Sequence, residues 1–263
     1  YGRPILKRWF RRLHGKIAVS RPAMEFVSQY FPGYYNIIPN GIDYQRFSRP
    51  RARMPQFDDG KLNILFVGRL EKRKGLAHLL RAYSRAKPRL PNSRLIIVGP
   101  VSQKQRGYQA WIDATRLADV HWTGFVSDDE LPRYYQTADI FCSPATGQES
   151  FGIVLLEAMA TGTSVLATRI PGYAGVVTDG LDGTLVPPKD DRALAEALFR
   201  LAADRNYRES LAARGHLTAA KYDWPLIAKQ VLDYYERLRS ESGSVRQPIR
   251  LRPRFRYLRA LRG

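Results

Sequence analysis

Two carboxylates and the short segment between them are the residues of this chain best suited to chemistry. Glu149 and Glu157 stand eight positions apart, and an apolar helical pattern surrounds Glu157 from residue 153 to residue 160. A charge inside so apolar a helix is costly unless a partner pairs with it. Gly152 lets the backbone approach a ligand closely, and the first N–H groups of the helix form an anion site. This arrangement suits a ligand with hydroxyls on both sides of a phosphate, as in a nucleotide-sugar.

A second charged segment, Gly-Arg-Leu-Glu-Lys-Arg-Lys-Gly at residues 68–75, follows a strand-like run. Arg69 offers a planar fork of donors to phosphate oxygens, and Lys74 offers a point charge beside it. A solvated basic loop would have the same composition. We predict that Arg69 and Lys74 bind phosphate because the carboxylate segment lies in the same chain.

The two segments resemble the donor-binding motifs of retaining GT-B glycosyltransferases of family 4. The run from 149 to 160 is very similar to that of the phosphatidylinositol mannosyltransferases, and the resemblance covers roughly residues 15–239. It implies that Glu157 accepts hydrogen bonds from ribose hydroxyls and that Glu149 lies beside the transferred hexose. It also implies that the catalytic residues are Glu149, Arg69 and Lys74. The expected donor-binding residues are Arg69, Lys74, Val126, Glu149, Ser150, Phe151, Gly152, Ile153, Val154 and Glu157.

Each carboxylate also has a plainer interpretation. Glu157 could reach solvent past the small side chains of Ala158 and Ala160. Glu149 could be an acid at a helix start, stabilised by the helix dipole without any ligand. These interpretations stay open from the sequence.

The donor base is also open. In the family, the loop after the third strand contacts the nucleobase near the position of Val126, and a basic residue sometimes stands where this chain has Leu131. The donor is therefore expected to be a GDP- or UDP-sugar. The four histidines show no mutual ligand spacing and there is one cysteine, so no metal site is expected. The second strand ends without a Gly-x-Gly-x-x-Gly fingerprint, and no cofactor is expected either. In the family, cationic side chains and helix dipoles neutralise the donor phosphates.

Short apolar runs alternate with helical patterns through the middle of the chain. This alternation predicts an α/β fold, a Rossmann-like parallel sheet with helices on both faces. The resemblance identifies it as the C-terminal domain of a GT-B enzyme. The predicted strands cover residues 64–67, 95–98, 120–123, 140–143, 164–167 and 184–186. The predicted helices cover residues 77–86, 108–117, 130–136, 152–160, 172–177 and 192–203.

A Pro-Asn-Gly-Ile-Asp turn at residues 39–43 resembles the junction between the two domains of these transferases. It implies that residues 1–38 are the remnant of an acceptor-binding N-terminal domain, most of which is missing. The chain begins at Tyr1, with no signal peptide, which suggests a fragment. Alone, it is expected to bind the donor but barely to turn over. The remaining parts are an interdomain linker at 39–60, a nucleotide-sugar-binding domain at 61–223, a crossover helix at 224–241 and a basic tail at 242–263.

Most of the net charge of +19 lies at the two ends of the chain. Residues 1–21 and 243–263 each carry seven cations and no acid, and residues 4–13 predict a short basic amphipathic helix. Such ends suit an anionic membrane lipid, whereas the nearly balanced middle argues against specific nucleic-acid binding. No apolar run approaches the ~20 residues of a membrane span. We expect a cytoplasmic protein, peripheral on the inner face of the cell membrane.

The predicted function is transfer of a hexose, mannose or glucose, from a nucleotide-sugar to an acceptor with retention of anomeric configuration. A membrane lipid such as a phosphatidylinositol-type glycolipid is the expected acceptor. The alternatives are a hexosyltransferase with a soluble acceptor, a nucleotide-sugar-binding scaffold without activity and, on charge alone, a nucleic-acid-binding protein.

Overall fold

The N-terminal segment forms a small parallel pair of strands flanked by helices. The computed structural model describes residues 3–10 and 12–241, so the predicted basic tail lies outside the described residues. The two strands pair with Ile17 opposite Asn36. Ser20 caps the second helix, because its hydroxyl accepts a hydrogen bond from the Ala23 N–H at 3.1 Å. The elements are α1 (Arg3–Phe10), β1 (Ile17–Ala18), α2 (Arg21–Ser28) and β2 (Asn36–Ile37).

Six strands form the main sheet, which confirms the predicted α/β fold. They all pair in parallel, in the order β5-β4-β3-β6-β7-β8, and each lies within two residues of its predicted bounds. The order reverses between β3 and β6, and parallel sheets bind ligands at such a switch point. The strands are β3 (Leu62–Val67), β4 (Ser93–Val98), β5 (Val120–Gly124), β6 (Ile140–Ser143), β7 (Ser164–Thr168) and β8 (Thr184–Val186).

Helices cover both faces of this sheet. Alternate residues of β3 enter different apolar clusters: Ile64 and Phe66 join the cluster under α4 and α9, and Leu65 joins the cluster under α6 and α7. Among the described helices, none is both long and apolar enough to cross a lipid bilayer. The helices are α3 (Tyr44–Ser48), α4 (Leu76–Ala86), α5 (Gln103–Thr115), α6 (Leu131–Thr137), α7 (Ile153–Ala160), α8 (Pro171–Ala174), α9 (Asp191–Ala203), α10 (Arg205–Ala220) and α11 (Trp224–Glu241).

Helix α10 is an element that the sequence pattern does not predict. It packs against α7 and β7, yet it buries only Leu211, Gly215 and Ala219. Asp204 separates it from α9 and caps it, accepting a hydrogen bond from the Tyr207 N–H at 2.8 Å. The helix is therefore set by its cap and by close packing at small residues rather than by a clear apolar face.

Two segments of the chain, around Ile42 and around Asp223, connect the N-terminal segment with the main sheet, and they lie side by side. The Ile42 N–H donates to the Tyr222 carbonyl oxygen at 2.8 Å, and the Trp224 N–H donates to the Ile42 carbonyl oxygen at 3.0 Å. The two passages are thus bonded side by side, like neighbouring strands. Beyond this crossing α11 returns to the N-terminal segment, where the Tyr234 hydroxyl accepts the Lys16 N–H at 3.1 Å.

Candidate active site

Loops from three strands meet at the carboxyl ends of the sheet, around the switch point. The loop after β3 and the loop after β6 approach so closely that a Cβ on Gly75 would lie 1.9 Å from the Pro144 carbonyl oxygen. Gly75 also has a φ of +76°, a conformation that favours glycine. This contact brings the basic segment of residues 68–75 against the segment that carries Glu149.

The carboxylate of Glu149 is held by two cations of the basic segment. Its Oε1 lies 2.7 Å from Lys74 Nζ and 2.5 Å from Arg73 Nη1. The Glu149 side chain is 15% exposed and that of Lys74 is 16% exposed, so these charges face each other with little water between them. The structure thus brings together Glu149 and Lys74, which the sequence predicted as members of one site.

Arg69 lies at the outer edge of this cluster. Its Nε is 3.0 Å from Glu71 Oε1, and its side chain is 67% exposed. Glu71 also pairs with Arg73, at 2.7 Å between Oε2 and Nε, so one carboxylate links the two arginines. Arg69 is therefore placed to meet a ligand that arrives from solvent. Arg73 was missed by the sequence reasoning, because three consecutive cations at 72–74 do not reveal which of them turn toward Glu149.

The start of α7 is packed against α8. Gly152 has a φ of +104°, and a Cβ there would lie 2.8 Å from the ring of Tyr173. A Cβ on Gly172 would lie 2.0 Å from the Glu149 carbonyl oxygen. The backbone from Glu149 to Gly152 is therefore fixed. The Leu155 N–H donates to the Gly152 carbonyl oxygen at 3.0 Å, and the N–H groups of Ile153 and Val154 lie ahead of this first bond of α7.

The side chains at this helix start divide into two kinds. Phe151 is buried, with its ring edge-on to that of Tyr222 at 5.9 Å between centroids, so its side chain anchors the loop. Val154 packs partly against the core, whereas Ser150 and Ile153 are exposed. In this segment, the backbone N–H groups and the exposed Ser150 hydroxyl can meet an anion.

Glu157 is half-buried on α7, and its partner is a tyrosine. The Tyr135 hydroxyl donates to Glu157 Oε2 at 2.9 Å. Burial raises the pKa of Glu157, while the hydrogen bond from Tyr135 and the positive charge of Arg46 oppose that shift. Sequence reasoning missed Tyr135 and Arg46 because no local spacing connects either of them to Glu157.

The loop after β5 completes the edge of the site. Val126 packs partly against the core, while Phe125 is 78% exposed. Arg46 donates from Nη2 to the Asp128 carbonyl oxygen, which ties this loop to α3. Leu131, the first residue of α6, packs partly against the same core. Arg46 therefore stands between the loop of Val126 and the carboxylate of Glu157.

The described part of the chain also bears on a metal site. Residues 3–10 and 12–241 contain no group of three or more histidine, cysteine, aspartate or glutamate residues that could hold a metal ion. His78 instead pairs with Asp191, at 2.5 Å between Nδ1 and Oδ1. Independence from metal stays a prediction that requires a measurement.

Comparison with known proteins decides the family. The family described as "Glycosyl transferases group 1" matches residues 50–217. The chain belongs to this family. The glycosyltransferase resemblance of residues 68–75 and 149–160 is thereby confirmed.

Similar proteins extend this result. Over 246 residues the chain is 35% identical to the phosphatidyl-myo-inositol mannosyltransferase of Mycobacterium tuberculosis, covering 92% of this chain and 64% of that protein. The structure of sucrose-phosphate synthase from Thermosynechococcus elongatus matches with a TM-score of 0.78 and 25% identity, covering 91% of this chain and 62% of that one. The Anabaena protein HepE, in complex with UDP and glucose, matches with a TM-score of 0.77 and 22% identity, covering 89% and 66%. These structural neighbours confirm the GT-B fold. The chain spans 64% of the length of the mannosyltransferase.

Proposed function

We propose that this protein takes a hexose from a nucleoside diphosphate sugar and transfers it to an acceptor with retention of configuration. The observation that carries the proposal is the contact of Glu149 with Lys74 and Arg73, directly before the N-terminus of α7. Family membership and the similarity to mannosyltransferases support it. The carboxylate can accept hydrogen bonds from sugar hydroxyls, and the cations and the helix N-terminus beside it can bind the attached diphosphate.

The proposed roles follow the order of groups along the site. Glu157 accepts hydrogen bonds from the ribose hydroxyls, and the backbone near Val126 meets the base. The first-turn N–H groups of α7, together with Arg69 and Lys74, bind the diphosphate. Glu149 orients hydroxyls of the hexose.

Stabilisation of the leaving group is the proposed source of catalysis. As the bond between the hexose and the diphosphate breaks, negative charge grows on the departing phosphate oxygens. An ammonium has three donors, so Lys74 can keep Glu149 and still meet a phosphate. Charges already in place when the bond breaks cost no reorganisation, which makes them effective for catalysis. Arg73 holds Glu149 in position throughout.

The donor proposal is tested by calorimetry with UDP, GDP and the corresponding monophosphates. We expect a nucleoside diphosphate to bind more tightly than its monophosphate, because the second phosphate meets Lys74 and the α7 N-terminus. We also propose that no metal is needed, so a chelator should leave the affinity unchanged. Absence of diphosphate binding would contradict the proposed function, while binding that a chelator abolishes would contradict only the metal-independent part.

We further propose that the acceptor is a lipid in an anionic membrane, at the inner face of the cell membrane. The relative named for phosphatidyl-myo-inositol supports a lipid acceptor. Helix α1 supports a membrane surface: Leu6 and Trp9 are more than half exposed, and Arg8 and Arg12 are exposed beside them. Exposed cations contribute on the order of 1 kcal/mol each with anionic lipid, and salt weakens this attraction.

Vesicle sedimentation tests the membrane proposal with matched charge reversals. Arg8→Glu with Arg12→Glu should reduce binding to anionic vesicles, whereas Arg85→Glu with Arg106→Glu, on the exposed surfaces of α4 and α5, should not. Neutral vesicles give the baseline. Equal losses for the two double variants would show that the attraction is nonspecific charge. Labelled hexose donors with phosphatidylinositol vesicles or with a soluble inositol phosphate then distinguish the lipid acceptor from a soluble one.

A further inference from the structure

The Tyr135 side chain has one polar atom, the hydroxyl oxygen, and that hydroxyl contacts Glu157. The tyrosine lies on α6, and its side chain is 0% exposed. Its ring is edge-on to Phe47 and to Phe141, at 5.9 and 5.2 Å between centroids. Its carbonyl oxygen accepts a hydrogen bond from the Thr163 hydroxyl at 2.7 Å. Ring and backbone are thus both fixed, and the hydroxyl points at Glu157 Oε2 over 2.9 Å.

We propose that Tyr135 is a positioning residue that occupies Oε2 of Glu157 and thereby presents Oε1 to the ribose diol of the donor. This inference rests on the proposed function, since it assigns a role within the same site. The α7 helix around Glu157 is apolar, and without a fixed donor the carboxylate could rotate about its side-chain torsions. A buried hydroxyl that cannot move limits Glu157 to one orientation.

The hydrogen bond also favours the ionised form of Glu157. Burial raises the pKa of Glu157, and the donated hydrogen bond from Tyr135 lowers it again. Burial and the neighbouring Glu157 raise the pKa of Tyr135 well above its ordinary value, so its hydroxyl keeps its proton and stays a donor. An ionised Glu157 can accept hydrogen bonds from both ribose hydroxyls, whereas a protonated carboxyl has lost part of this capacity.

Other charged groups around Glu157 act from the elements packed beside it. The guanidinium of Arg46, on α3, favours the ionised carboxylate, and Asp128, in the loop before α6, opposes it. On α10, His216 meets α7 elsewhere, with Nδ1 2.9 Å from the Ala160 carbonyl oxygen. Tyr135 is the residue with a direct hydrogen bond to the Glu157 carboxylate among those that the structure describes.

The test compares Tyr135→Phe with Tyr134→Phe. Tyr134 is also buried and precedes Tyr135 in the chain, but its hydroxyl makes no hydrogen bond to any described residue. Two ligands are used. The first is whichever of UDP and GDP binds the wild type more tightly, and the second is the 2′,3′-dideoxy analogue of that nucleotide. We expect Tyr135→Phe to weaken binding of the ribonucleotide by roughly three- to tenfold, the usual range for one lost hydrogen bond. Binding of the dideoxy analogue should change little, and Tyr134→Phe should match the wild type.

The pH profile provides a second readout. Binding of the ribonucleotide should weaken as the pH falls through the pKa of Glu157, because the protonated carboxyl loses acceptor capacity. Tyr135→Phe should move this loss to higher pH, since the hydrogen bond that favours ionisation is gone. In a Glu157→Gln background, Tyr135→Phe should cause no pH-dependent loss, because the titrating group is absent.

The outcomes separate the inference from the proposed function. If the wild type binds no nucleoside diphosphate, the proposed function is overturned and the role of Tyr135 with it. If the wild type binds but Tyr135→Phe loses affinity equally for the ribonucleotide and the dideoxy analogue, the residue is merely structural. If Tyr135→Phe does not fold, the wild type provides the test. Its preference for the ribonucleotide over the dideoxy analogue must disappear as Glu157 becomes protonated at low pH. A preference that does not change with pH overturns the assignment.

Discussion

At the two ends of the same sheet, the pKa values of buried or partly buried carboxylates shift in opposite directions. At the amino ends of the strands, Asp119 lies between two ammonium groups, 2.6 Å from Lys61 Nζ and 2.8 Å from Lys87 Nζ. The hydrogen bonds from Lys61 and Lys87 lower the pKa of Asp119 to about 2. At the carboxyl ends, Glu157 has one neutral donor, Tyr135, and burial raises its pKa. One carboxylate is stabilised in the folded protein, and the other is held there at a cost.

Asp139, a second acid at the amino ends of the strands, is also paired. Asp139 accepts the Asn63 N–H at 2.7 Å and lies 3.4 Å from Arg53 Nη2. At the carboxyl ends Glu149 is also paired, but its partners keep other donors: Lys74 has three and Arg73 has five. Lys87 uses its three donors on Asp119 and on the Pro91 and Ser93 carbonyl oxygens, whereas Lys74 pairs with Glu149 and retains donors for a ligand.

The largest expected effect concerns that spare capacity. Lys74→Ala should weaken binding of a nucleoside diphosphate by roughly 1.5–3 kcal/mol, because a charged hydrogen-bond donor to the diphosphate is lost. Calorimetry measures this, with Lys72→Ala as control, since Lys72 is exposed on the same turn. Equal losses for the two variants would remove the distinction between a binding lysine and a solvated one.

A second binding comparison divides the two site carboxylates. Glu157→Ala should weaken binding of a free nucleoside diphosphate by about 1.5 kcal/mol or more, since the ribose loses a charged acceptor. Glu149→Ala should weaken it less, because a free diphosphate lacks the hexose that Glu149 is proposed to meet. Titration of both variants with the same ligand tests this order, and equal losses would contradict the division of roles.

Asp119→Asn should lower stability by about 1–2 kcal/mol at neutral pH, a figure reduced for solvent screening at this partly exposed group. Because folding lowers the pKa of Asp119, its contribution is present above the ordinary aspartate pKa and disappears as the pH falls toward about 2. Asparagine tolerates the positive φ of 59° at this position. Urea unfolding at several pH values measures the effect, and a pH-independent loss would point to packing instead. Glu25→Gln, at an exposed acid, serves as control.

The smallest expected effect has the opposite sign. Glu157→Gln should slightly raise stability at neutral pH, because burial raises the pKa of Glu157 in the folded state. The folded protein then binds that proton more tightly than the unfolded chain does. The cost of ionising Glu157 is therefore absent below the ordinary glutamate pKa and grows as the pH rises through the raised value. Urea unfolding at neutral pH measures this effect. If Glu157→Gln lowers stability, Glu157 does not differ from Asp119 in the way described.

The sequence predicted the sheet better than the contacts at its edge. Central strands covered on both faces are rich in apolar residues, and all six strands were located within two residues of their bounds. Helix α10 was missed because its buried positions, Leu211, Gly215 and Ala219, include two small residues that leave no strong periodic pattern. Element type thus follows local pattern where burial is heavy, and fails where packing depends on small side chains.

Within the site, the predicted residues and their actual partners differ in kind. Glu149 and Lys74 could be predicted because each lies in a recognisable local motif, and the structure places them in contact. Tyr135 could not be predicted, because its link to Glu157 spans 22 positions and depends on how α6 packs against α7. Spacing along the chain can identify a charged group, but its partner is set by tertiary packing.

The side-by-side crossing at Ile42 and Trp224 has a consequence for the order in which the protein can assemble. The N-terminal segment is synthesised before the main sheet, yet the contacts that hold it include Tyr234, near the end of the described chain. The main sheet, closed by β8 at residue 186, can form on the ribosome while α11 is still unmade. The N-terminal segment therefore reaches its final place after the main sheet has formed, although it precedes that sheet in the chain. Contacts across so many positions are slow to form, so the last turns of α11 control when the two parts of the molecule join.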